Sequence, residues 1–188
     1  MKLNLLSPLI ILLVAVFCQS CGNENTNTTN SDQDIVKVAS AMKIKAFNDV
    51  DNLVTILSEN GIGTLKPWQN PFDTGYGSLT DYYPIGTAKE EYGLTNNLAY
   101  YLEGTATTAK NLLINLNLNN RDEKKQGLVH LSNVTTKTFK SLNLKIPDGL
   151  IKSIRAGKEF KANNAEFTTS FTLDQSKIET WKVLIISK

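Results

Sequence analysis

Leu112-Leu113-Ile114-Asn115-Leu116-Asn117-Leu118-Asn119 sets Leu112, Ile114, Leu116 and Leu118 on one side of the chain and Leu113, Asn115, Asn117 and Asn119 on the other. A period of two belongs to a half-buried β-strand. The alternation stops at Asn120-Arg121-Asp122-Glu123, which reads as a helix cap with Glu at the third helical position. Leu128, Leu131, Thr135, Thr138 and Leu142 then line one face of a helix, and a shorter helix runs from about Pro147 to Ala156. The period therefore switches from strand to helix within a few residues.

Upstream, Leu98, Tyr100 and Leu102 alternate before a turn at Glu103-Gly104-Thr105, giving the first strand of a hairpin. Downstream, Phe167, Thr169, Phe171 and Leu173 alternate up to the turn Asp174-Gln175-Ser176-Lys177. Ile178 to Ile186 returns as a β-branched, apolar strand around Trp181. At the other end Ile35, Val38, Met42, Ala46, Val50, Leu53 and Leu57 recur at helical spacing and Gly61 follows as a stop. Asn48-Asp49-Val50-Asp51 offers a later start for the same helix. The order is helix, hairpin, helix pair, hairpin. It predicts one α+β domain over 35–188: a two-layer arrangement with an antiparallel sheet of four or five strands and the helices on one face.

Residues 61–93 have no sustained period and are rich in Gly and Pro, a long turn-rich connection with room for one short strand. All six tyrosines (Tyr76, Tyr82, Tyr83, Tyr92, Tyr100, Tyr101) fall within 26 residues, with Trp68 and Phe72 just upstream. Long loops are often functional, and Tyr offers a large contact area with a polar tip. Trp68, Tyr76, Tyr82, Tyr83 and Tyr92 are therefore the candidate binding residues for a protein or glycan partner. The competing reading is that these aromatics pin the loop to the sheet.

The N-terminus carries an address. After Met1-Lys2, Leu3 to Phe17 is almost wholly apolar, and the uninterrupted run Leu9 to Phe17 has the length of a signal-peptide core. That is short of the ~20 apolar residues that span a bilayer. The junction Cys18-Gln19-Ser20-Cys21-Gly22 resembles a bacterial lipobox, with a small residue before the acceptor cysteine and Cys18 where that family usually has Leu. The resemblance implies a signal peptide over 1–20 and cleavage between Ser20 and Cys21. It further implies acyl chains, such as palmitate, on Cys21 and, from Gly22, an outer-membrane address in the cell envelope.

An ordinary signal peptidase would cut the same bond, because Cys18 and Ser20 are both small, and would release a plain secreted protein. The cysteine count weighs against that alternative. Of two cysteines one leaves with the signal, so Cys21 stays alone, and a free thiol in an oxidising compartment has no disulfide partner. Residues 22–34 contain no apolar side chain and read as a flexible tether behind the lipid.

Net charge is +2, but residues 22–103 hold 11 acidic and 5 basic side chains, and residues 104–188 hold 7 acidic and 14 basic. The basic excess of Lys137, Lys140, Lys145, Lys152, Arg155, Lys158 and Lys161 suits attraction between the halves, or anionic headgroups. Nucleic acid is not expected for an exported chain. His130 is the one histidine and faces away from the Leu128/Leu131 stripe, as a solvated side chain would. No nucleophile elbow, metal-ligand cluster or phosphate-binding loop is present, so no cofactor, no metal and no catalytic residue is expected. The residues point to a lipid-anchored, non-enzymatic binding or structural protein of the envelope, such as an assembly factor or a toxin-immunity protein. The alternative is a hydrolase of envelope polymers using a carboxylate pair, Glu90 or Glu91 with Asp81.

Overall fold

The computed structural model describes residues 41–71, 75–88 and 93–188. The leader, Cys21, the tether, Phe72, Glu90, Glu91 and Tyr92 lie outside the described residues. Among the described residues three α-helices, α1 (Val50–Asn60), α2 (Lys124–Ser141) and α3 (Leu150–Ala156), accompany a sheet of seven strands. The strands are β1 (Tyr76–Leu79), β2 (Tyr83–Ile85), β3 (Asn96–Gly104), β4 (Ala109–Leu118), β5 (Phe160–Asn163), β6 (Phe167–Asp174) and β7 (Glu179–Ser187). All their pairings are antiparallel, in the order β1-β3-β4-β7-β6-β5, with β2 sharing the outer edge of β3 with β1.

The α+β class stands, and the strand count rises from four or five to seven. The extra strands are β5 and the pair β1 and β2, all of three or four residues with only partial burial. Such short runs carry too little alternation to be read from sequence. The two expected hairpins are β3–β4 and β6–β7, and β4 pairs with β7 to join them.

Met42 and Ala46 pack on the core, yet the chain around them is not α-helical. Asn48 bonds back to the Met42 backbone, its Oδ1 accepting from N–H and its Nδ2 donating to C=O, each at 2.9 Å. Lys45–Asn48 is a 3-10 turn. The later start is the observed one: Asp49 caps α1, its Oδ1 accepting from the Asn52 N–H at 3.1 Å. The cap at Asn120 is also present, its Oδ1 accepting from the Asp122 N–H. Glu123 departs from the capping-box expectation. Its carboxylate accepts from the N–H of Thr87 at 2.9 Å and from the Thr87 hydroxyl, tying the β2 end of the sheet to the start of α2.

Alternation sorts the sheet into two faces. Tyr100, Leu112, Ile114, Leu116, Phe171 and Trp181 are buried on the face that receives α2. There the Tyr100 hydroxyl meets Thr138 Oγ1 at 2.6 Å, and Phe139 packs edge-on to Phe167. Gly127 allows the close approach, since a Cβ there would stand 3.0 Å from Leu118 and 3.4 Å from Leu116. On the second face the alternate residues are half-buried or exposed, Ala99 and Thr180 apart.

Candidate functional site

The tyrosine-rich stretch builds the β3 edge of the sheet. Residues 65–69 run beside β1 as an irregular outer strand: Lys66 N–H donates to Leu79 C=O at 3.0 Å, and Gln69 and Gly77 exchange bonds at 3.1 and 2.9 Å. Trp68 is half-buried against the core, and its Nε1 donates to Thr105 C=O at 3.0 Å. It pins this segment to the β3–β4 turn, as the packing reading expected. Tyr100 is fully buried in the core.

Tyr82 and Tyr83 are different. They are 62% and 54% exposed, and neighbouring positions of an extended chain point to opposite sides. Tyr83 pairs in register with Leu98 and lines a cavity beside α2. Tyr82 meets Tyr101 instead, whose hydroxyl donates to the Tyr82 hydroxyl at 3.4 Å. Burial, followed by the hydrogen bond and charge of Tyr82, raises the Tyr101 phenol to about 12. The structure thus divides the candidate residues among core anchoring (Trp68), the helix-bearing side (Tyr83) and the second face (Tyr82).

The register reveals what the sequence reading missed. Leu79 lies opposite Tyr101, Tyr101 opposite Leu113, and Leu113 opposite Leu184, so four strands contribute one continuous apolar row across the second face. Ile186, on the same side of β7, is exposed beside it. Polar residues flank the row. Asn117 Nδ2 donates to Asn97 at 2.8 Å and Thr180 Oγ1 donates to Asn117 at 3.0 Å, a ladder spanning β3, β4 and β7. At the row's β1 end a groove of about 540 Å³ opens between the sheet and the 66–71 segment. Tyr76, Leu79, Tyr101 and Glu103 line it, with Lys66 and Lys110 at hand. No periodicity in one strand can reveal such a row, because it exists only once the four strands are in register.

Acidic groups are dispersed. Asp81 is exposed and pairs with Lys66 at 2.9 Å. Glu179 is buried at the start of β7, 2.6 Å from Lys124 Nζ and 3.6 Å from Arg121 Nε, and its Oε1 accepts from Trp181 Nε1 at 2.9 Å. Among the described residues no three His, Cys, Asp or Glu side chains gather as metal ligands, and no helix is long and apolar enough to cross a membrane. Neither family models nor known proteins nor solved structures match this chain.

Proposed function

We propose that the chain is a lipid-anchored, non-enzymatic binding protein of the cell envelope that takes a protein partner on the second face of its sheet. In this reading the domain has two layers: helices cover one side and leave the other to the partner. Cys21 carries the lipid, residues 22–34 are the tether, and the outer membrane is the anchoring surface. The observation that carries the proposal is the Leu79–Tyr101–Leu113–Leu184 row with Tyr82 standing over its edge. Leu79 and Tyr82, 41% and 62% exposed, sit where an aromatic and aliphatic anchor would enter a partner. The Asn and Thr ladder supplies the polar rim.

Two experiments test it on the full-length chain. Metabolic labelling with palmitate should mark the wild type and be lost in Cys21→Ala; an unlabelled wild type sinks the anchor. Photo-crosslinking from position 79 in intact cells should give one discrete adduct that Tyr82→Ala removes. A wild-type pattern without any adduct sinks the binding surface.

A further inference from the structure

A second cavity, about 720 Å³, lies on the helix-bearing side between the turn after α1, β2 and α2. Its volume falls within the ~300–1,000 Å³ usual for small-molecule sites. His130, Asn133 and Lys137 enter it from one stripe of α2, at i, i+3 and i+7. Arg155 enters from α3, and its Nε donates to the Ser132 hydroxyl at 3.1 Å, which holds the guanidinium against α2. Among the described residues its terminal Nη groups bond no protein atom and neither Arg155 nor Lys137 has a carboxylate within ion-pair distance. Those donors are thus available to a ligand.

Among the described residues no acidic side chain lines this cavity. Glu59 lines a neighbouring cleft, which it shares with Lys137 and Lys140. A lysine and an arginine from separate helices therefore line one concave surface with a histidine and without a carboxylate among the described residues, which concentrates positive potential there. Ile62, Ile85, Leu98 and Val134 form an apolar part of the wall, Ser58 and Thr136 add hydroxyls, and the exposed Tyr83 also lines the cavity. Apolar walls with a few convergent polar groups make up the usual ligand pocket, and a guanidinium fork matches an oxyanion.

We propose that this cavity binds a small organic anion, its carboxylate or phosphate held by Arg155 and Lys137 and its apolar body by Ile62, Leu98 and Val134 beside Tyr83. The site shares no wall with the second-face surface, so it stands or falls separately from the partner reading.

The chain's single histidine gives the readout, because one imidazole signal in the proton spectrum belongs to His130 alone. Full-length protein in a nonionic detergent is titrated with phenyl phosphate, benzoate, inorganic phosphate and benzylamine. Phenyl phosphate and benzoate should move the signal saturably, more tightly than inorganic phosphate, and benzylamine should leave it in place. Arg155→Ala and Lys137→Glu should each weaken phenyl phosphate by about tenfold or more, the scale of one charge-assisted bond. Tyr82→Ala should bind as wild type. Lys137 is exposed, so its variant keeps the test open if Arg155→Ala unfolds. Binding of benzylamine with equal strength, or unchanged binding in both charge variants, overturns the anion site. No shift up to about 10 mM phenyl phosphate does the same, since that is weaker than any specific affinity. Equal affinity for inorganic phosphate overturns the apolar half.

Discussion

On β4, Leu112, Ile114, Leu116 and Leu118 are at most 2% exposed, whereas Leu113, Asn115 and Asn117 between them stay half-exposed. One strand thus faces two environments. On the helix-bearing side the apolar side chains join one core with α1, α2 and α3, and the Tyr100 hydroxyl is bonded to Thr138, while Thr135 Oγ1 and Thr169 Oγ1 are buried there without a partner among the described residues. The second face mixes an apolar row with an amide ladder, and Asn115 Oδ1 is likewise buried beside the row without a partner among the described residues. A buried orphan acceptor costs about 1–3 kcal/mol. Such orphans lie on both sides, so what sets the second face apart is its exposed apolar side chains, Leu79 and Ile186: a face built only for stability would cover them, and a face that meets a partner keeps them.

The sharpest way to break this contrast is to cut equal side chains on either side of one peptide bond. Ile114→Ala empties a fully buried site and should cost about 2–5 kcal/mol in urea unfolding. Leu113→Ala removes a half-exposed side chain and should cost under about 1 kcal/mol. Equal losses would mean that the second face is a packed core surface, and the partner reading would go with it.

Next in size is the ion cluster at the start of α2, in which the Glu179 carboxylate is buried. Glu179→Gln keeps the shape but removes the charge facing Lys124 and Arg121, both of which can reach water. The expected loss at pH 7 is about 1–2 kcal/mol. Burial alone would raise the Glu179 carboxyl, but the bonds from Lys124 and Trp181 and the charges of Lys124 and Arg121 outweigh it and hold it below its usual range. A carboxyl lowered on folding stabilises above its unfolded value of about 4.3 and loses that stabilisation as pH falls through the folded value. The wild-type and Glu179→Gln unfolding midpoints should therefore converge in acid. On the second face the Asp174–Lys182 pair at 2.6 Å is more open to solvent. Asp174→Asn should shift the midpoint less than Glu179→Gln, although Lys182 and Ser176 also lower Asp174.

Much of the helix-bearing side was legible, because its evidence is local. Leu128, Leu131, Thr135, Thr138 and Leu142 are all buried, and each expected hairpin forms. The second face was not, since its row joins Leu79, Tyr101, Leu113 and Leu184 across 105 residues of chain through register alone. Tyr82 and Tyr83 read as one patch because sequence adjacency hides the alternation that sends them to opposite sides. His130 read as solvated because it leaves the Leu128 stripe, yet it is half-buried at the rim of a cavity whose Arg155 wall comes from another helix.

The smallest effect in stability gives the finest test of the edge. Tyr100 and Tyr101 are neighbours on β3 and face opposite sides, yet both phenols are raised to about 12. For Tyr100 the cause is burial in the core, opposed by its bond to Thr138; for Tyr101 it is burial together with Tyr82. A phenol raised on folding stabilises fully below about 10, its unfolded value, and that stabilisation is lost as pH climbs through the folded value. Both should appear as a late phase of tyrosinate absorbance near pH 12. Tyr82→Ala uncovers Tyr101 and removes the bond and charge that raise it, so one phenol should leave the late phase for lower pH while Tyr100 stays. Stability at pH 7 should change by no more than about 0.5 kcal/mol, as for an exposed substitution. A late phase of unchanged size would separate Tyr82 from Tyr101, leaving the apolar row without its aromatic edge.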